Sequence, residues 1–87
     1  MSRKEIRKML ETLNNVLENT GRIDVFVNDV MISNYFDNSE ISVDYDRDED
    51  YYAINLVIDK IYPVCTILEH NITDLSFYVY DMSNLIF

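Results

Sequence analysis

Residues 44–50 read DYDRDED: Asp44, Asp46, Asp48, Glu49 and Asp50, with Tyr45, around the single cation Arg47. Three chemistries suit such a run: ligation of a divalent ion, a solvated turn, or display of negative charge to a cationic partner. The Asp44, Asp46, Asp48 spacing opens like an EF-hand loop. Glu49, however, stands where that loop needs glycine for its sharp turn, and Asn55 stands where it needs a bidentate glutamate. A dedicated calcium site is not expected. The turn reading is sound as far as it goes, because acids at a hairpin tip discourage edge-to-edge association. It covers the wider set less well. With Asp37 and Glu40 included, seven acids fall within 14 residues against one positive charge, and self-repulsion on that scale destabilises a compact chain unless something offsets it.

The third chemistry follows from strand geometry. Alternate side chains on an extended strand lie on one face about 6.6–6.8 Å apart. Asp44, Asp46 and Asp48 would then form a carboxylate ladder with a spacing close to that of phosphates along a nucleic-acid strand. A groove of Lys and Arg built for phosphates would accept it through the same charge-assisted hydrogen bonds. Tyr35, Tyr45, Tyr51 and Tyr52 flank the acids. Tyrosine is enriched at interface hot spots, although ordinary sheet packing is the competing role for each of them.

Other candidates carry less. Cys65 and His70 are the only cysteine and histidine. One such pair makes neither a zinc site, which takes about four ligands, nor by itself a nucleophilic dyad. A single glycine excludes a glycine-rich phosphate loop. No catalytic residue, metal or cofactor is expected, and the chain is not read as an enzyme.

Composition bounds the rest. Eighty-seven residues make one domain, 1–87. An apolar fraction of 48% with 13% aromatics is too rich for an intrinsically disordered chain. The net charge of −9 is lopsided: residues 1–22 carry +2 and the remainder −11. A chain so acidic repels nucleic acid and is attracted to basic surfaces. No secretory signal and no run near the ~18 apolar residues of a membrane span is visible, so a soluble cytoplasmic protein is expected.

The elements that must position these side chains are partly legible. Ser2 and Glu5 form a capping box, and Ile6, Met9, Leu10, Leu13, Val16 and Leu17 recur at helical spacing, predicting a helix over about 3–19. Gly21 suits its end. Arg3, Lys4, Arg7 and Lys8 crowd the positive pole of that helix, a mildly unfavourable placement that proximity to the acidic remainder would explain. From Arg22 the period becomes two. Ile23, Val25 and Val27 alternate with Asp24 and Phe26, and Asn28-Asp29 suits a two-residue hairpin turn. ISVDY at 41–45 places Ile41, Val43 and Tyr45 inward. Residues 51–69 suit either two strands broken near Asp59-Lys60, with Pro63 at an edge or bulge, or a helix over about 49–61; β-branched and aromatic content favours the strands. Residues 77–80 read as a strand with Phe77 and Val79 opposite Tyr78 and Tyr80. The architecture expected is α+β, an N-terminal helix packed on a mainly antiparallel sheet of four to six strands spanning about 22–87.

In its acidic, tyrosine-flanked stretch 37–52, its size and its composition, the chain resembles the small acidic proteins of phages and mobile elements, in particular anti-CRISPR and other DNA-mimic inhibitors. The resemblance implies a non-enzymatic inhibitor, in the host cell of such an element, that occupies the nucleic-acid-binding surface of a nuclease or CRISPR effector. Asp44, Asp46, Asp48, Glu49 and Asp50 would stand in for phosphates, Tyr45, Tyr51 and Tyr52 would act as anchors, and Asp37 and Glu40 would extend the patch. The alternative is a toxin-neutralising, immunity-type protein or a homodimeric interaction protein that uses a sheet edge and the apolar tail at 84–87.

Overall fold

A computed structural model describes residues 1–20, 22–34 and 39–80. The helix α1 spans Arg3–Leu17. Its capping box forms as expected: the Ser2 hydroxyl accepts from the Glu5 amide at 3.1 Å, and the Glu5 carboxylate accepts from the Ser2 amide at 2.9 Å. Two orphan amides at the helix start are thereby satisfied, and the Ser2 bonds hold the Glu5 carboxyl below its ordinary range. The apolar stripe buries Ile6, Leu10 and Leu13. Helical geometry stops at Leu17, two residues short of the expected end, and Gly21 lies outside the described residues.

Among the described residues six strands follow: β1 (Ile23–Val27), β2 (Val30–Ser33), β3 (Ser39–Asp46), β4 (Tyr51–Ile58), β5 (Tyr62–Leu68) and β6 (Leu75–Val79), with one 3-10 turn, Glu69–Asn71, before the last. They form two antiparallel three-stranded sheets, β2-β1-β6 and β3-β4-β5, with α1 packed on both. The helix-on-antiparallel-sheet expectation holds, with strands at the upper end of the expected number. The division into two sheets is new, and it arises because β6 returns to pair with β1 instead of extending the β3-β4-β5 meander.

Turn chemistry agrees with each reversal. Asn28 and Asp29 have φ of 51° and 68°, the pair of left-handed residues that matches a two-residue hairpin to strand twist, and Asn and Asp tolerate that region best. At Asp59 and Lys60, with φ of 54° and 62°, a second such reversal joins β4 to β5. The stretch 51–69 is therefore two strands and not a helix. The register slips between Leu56, paired with Cys65, and Val57, paired with Pro63, which leaves Val64 as the extra residue of a bulge. Pro63 thus sits at a bulge on an edge strand, where its missing N–H is tolerated.

One core joins the layers. Leu10 and Leu13 of α1, Ile23 and Val25 of β1, Ile54 of β4 and Leu75 of β6 are all at or below 2% exposure. Alternation is kept along β3, where Ile41 and Val43 face this core. Asn28 ties the hairpin tip to the approach to β6: its Oδ1 accepts from the amides of Thr73 (2.8 Å) and Asp74 (3.1 Å), and its Nδ2 donates to the Asn71 carbonyl at 2.9 Å.

Candidate functional site

The acidic segment lies where β3 turns into β4, and the register there decides which side each residue takes. Side chains alternate across a strand. Glu40, Ser42, Asp44 and Asp46 therefore share the face turned away from the helix, whereas Ile41, Val43 and Tyr45 share the other. Across the sheet the outer row continues from Asp44 to Ala53 and Leu68, and from Ser42 to Asn55 and Thr66. Ala53 is the smallest residue of this surface. It lies between Tyr51 and Asn55 on the same strand face, and a shallow open depression of about 810 Å³ forms there, lined by Asp44, Asp46, Asp48, Tyr51, Asn55 and Thr66 among others.

Hydrogen bonds order this surface. The Asn55 amide donates to the Asp44 carboxylate, the Thr66 hydroxyl donates to Asn55 Oδ1 at 2.7 Å, and the Ser42 hydroxyl reaches Asp44 at 3.4 Å. The Asp44 carboxylate is thus held in one orientation on an exposed face. Asp46 is half-buried, and its Oδ1 accepts from the amides of Asp48 and Glu49, each at 3.0 Å. That Asx-type turn ends the strand.

The expected ladder of Asp44, Asp46 and Asp48 is therefore broken. Asp48 belongs to the turn at 47–50 and leaves strand spacing, although it still borders the depression. The strand-spaced acids on the outer face are Glu40, Asp44 and Asp46, with Ser42 in the sequence between the first two. Glu49 is exposed on the turn beside Asp48. Asp37 and Tyr35 lie outside the described residues.

Asp50, Tyr45 and Tyr52 fall on the helix side and take part in a different arrangement. The Arg7 guanidinium donates from Nη1 to Asp50 Oδ1 (3.1 Å) and from Nη2 to the Asp50 carbonyl (2.7 Å), while Nε and Nη2 bond the two oxygens of Glu69 at 3.1 and 3.0 Å. Its carbon lies 5.5 Å from the centroid of the Tyr52 ring, in reach of a cation–π contact. Tyr52 packs against Tyr45 with ring centroids 4.8 Å apart, and the Tyr45 hydroxyl donates to Asp50. Donating to a carboxylate pushes the Tyr45 phenol up, while the same bond, with Arg7, holds the Asp50 carboxyl below its ordinary range. Tyr51 stands on the outer surface, edge-on to His70 at 6.0 Å.

Glu69 was not singled out in the sequence, yet among the described residues it is the most deeply buried charge, at 1% exposure. Burial pushes its carboxyl up, but the Arg7 bonds and the Tyr52 amide, at 2.9 Å, outweigh this and leave it lowered. Arg3 approaches it at 3.7 Å. The same bonds raise the already basic Arg7. Cations at the start of α1 therefore do meet acids of the later chain. The available signal was the position of Glu69, an acid directly after the uncharged run 61–68.

Charge is left over on the other side. Among the described residues, no Lys or Arg comes within the 4.0 Å of an ion pair with Glu40, Asp44, Asp46, Asp48 or Glu49. No group of three or more His, Cys, Asp or Glu among these residues has the geometry to hold a metal ion, and no helix among them is long and apolar enough to cross a membrane. Comparison with protein-family models, curated proteins and solved structures found no match.

Proposed function

We propose that this protein is a non-enzymatic inhibitor of a basic, nucleic-acid-handling protein, of the anti-CRISPR or DNA-mimic kind, and that its outer β3-β4-β5 surface occupies a groove built for phosphates. One observation carries the reading: five exposed or half-exposed carboxylates, Glu40, Asp44, Asp46, Asp48 and Glu49, follow one another along β3 and its turn and none is ion-paired among the described residues, even though Arg47 borders the same depression and Lys60 stands near Glu40. Asp44 and Asp46 are one strand repeat apart, about 6.8 Å, and each has its orientation fixed by a neighbour. Preorganised acceptors lose less freedom when a Lys or Arg docks. Tyr51, beside Ala53 in the depression, supplies an aromatic surface of the kind that anchors interfaces. Asp50, Tyr45 and Tyr52 are positioning residues in this scheme, since Arg7 fastens the turn that carries the acids.

The test is a DNA-cleavage assay with a CRISPR nuclease–guide complex, with duplex DNA as competitor. The protein is expected to protect DNA, less so as salt rises, because screening weakens exposed charge pairs. The triple variant Glu40→Gln, Asp44→Asn, Asp48→Asn should weaken inhibition by roughly tenfold or more, as each exposed pair contributes up to about 1 kcal/mol. Equal inhibition by the triple variant and the native chain, or inhibition indifferent to salt, would remove the proposal.

A further inference from the structure

Beyond the acidic face, β5 is an edge strand with exposed apolar side chains. The two sheets have four edge strands, β2, β6, β3 and β5. β2 and β6 are uncharged as well, but only four and five residues long. β3 carries Glu40, Asp44 and Asp46, so an antiparallel copy alongside it would set like charges across the ladder. β5, at seven residues, is the longest edge without charge. Residues 61–68 contain no charge, and Ile61, Tyr62 and Val64 are 72%, 63% and 53% exposed. A long uncharged edge is the feature soluble proteins usually blunt.

Pro63 and the bulge at Val64 do blunt its first half, since proline has no amide to donate and the bulge interrupts the ladder. The stretch Cys65–Leu68 remains regular and, among the described residues, is paired on one side only. An incoming strand would therefore gain a short ladder there plus apolar contact with Tyr62 and Val64. It must itself be uncharged and bulky.

We infer that the occupant is a second copy of this chain, joined β5 to β5 about a two-fold axis into one six-stranded sheet. The uncharged, bulky β5 itself meets the requirement on the incoming strand, and the charge distribution permits the pairing. Two chains of −9 repel, but in the joined sheet the acid-bearing β3 strands become the two outermost edges. They are five strand spacings apart, about 24 Å, well beyond the roughly 8 Å screening length at physiological salt. The arrangement does not depend on the proposed inhibitory role. Because the axis is perpendicular to the sheet, it would present both acidic stripes on the same face.

Sedimentation equilibrium on the full chain over about 1–200 micromolar tests this. A dimer is expected, tightening severalfold as salt rises and self-repulsion is screened. Val64→Lys should weaken it by at least about tenfold, or 1.4 kcal/mol, with an unchanged far-ultraviolet dichroism spectrum because the position is exposed. Hydrogen exchange at those amides of Cys65–Leu68 that point away from β4, every second one along the strand, should slow with protein concentration in the native chain but not in the variant. A monomer throughout the range overturns the inference. So does a dimer that Val64→Lys leaves intact, since the contact then lies elsewhere.

Discussion

Replacing Arg7 with Met should unfasten the acidic turn and expose how much the fold depends on one guanidinium. Arg7 makes four hydrogen bonds, two to Glu69 and two to Asp50. Without it, the fully buried Glu69 side chain keeps only the Tyr52 amide and Arg3, whose side chain is 67% exposed and 3.7 Å away. Breaking one side of a buried ion pair costs about 3–5 kcal/mol. Arg7 is itself 30% exposed and Arg3 stands close by, so the lower end, about 3 kcal/mol, is expected. For a domain of this size that is a large part of a total stability of roughly 5–15 kcal/mol. It corresponds to a fall in Tm of about 12–24 °C. Urea unfolding followed by circular dichroism measures it directly. The double variant Arg7→Met, Glu69→Gln keeps an acceptor for the Tyr52 amide and removes the unpaired charge, so it should recover about 2 kcal/mol of the loss. An Arg7→Met penalty below about 1 kcal/mol, or strict additivity in the double variant, would refute the argument.

Two further outcomes follow from the same structure. The Glu69 and Asp50 carboxyls are both lowered in the folded protein, so the unfolded chain takes up protons first as the medium is acidified. Their stabilisation is complete above the ordinary carboxylate range and is lost as pH falls through about 4 and below; Glu69→Gln should flatten that acid limb in a pH series of urea midpoints. Asn28→Gly keeps the left-handed turn but removes the side-chain bonds to 71–74 and should cost about 1–2 kcal/mol, whereas Asn28→Ala adds backbone strain and should cost more; thermal melts of the two variants, ranked in that order, check it.

What was legible in the sequence was local. The capping box, the helical stripe, the Asn28-Asp29 turn and the break at Asp59-Lys60 each depend on residues a few positions apart, and each is in place. β-branched content with Pro63 correctly favoured strands over a helix in 51–69, because a bulge on an edge absorbs what a helix interior does not. Pairing between distant strands was not legible, since a period of two defines faces but not neighbours; hence the division into two sheets was missed. The acidic run misled for a related reason. In a wholly polar stretch alternation has nothing to report, and the strand in fact ends at Asp46, which sends Asp50 to the helix side. Asp24 shows the limit of alternation as well. It alternates with Ile23, Val25 and Val27, yet it is as buried as they are, at 3% exposure, and accepts a hydrogen bond from the hydroxyl of Ser33, its cross-strand partner. Neither residue signals the other across nine positions.

The nesting of one sheet inside the other has a consequence for how the chain acquires its shape. Residues 39–68 form their three strands through two short reversals, a low-entropy closure that can proceed on its own. The strand pair β1-β2 can zip equally early, but its third member, β6, begins only at Leu75, almost fifty residues after β1 ends. On a ribosome, the inner meander would be complete while the outer sheet still waited for its final strand, with Ile23 and Val25 lacking their eventual neighbours Val79 and Phe77. The rate-limiting moment of folding should therefore be the docking of β6, and substitutions at Leu75 should slow refolding more than substitutions of similar severity in the meander.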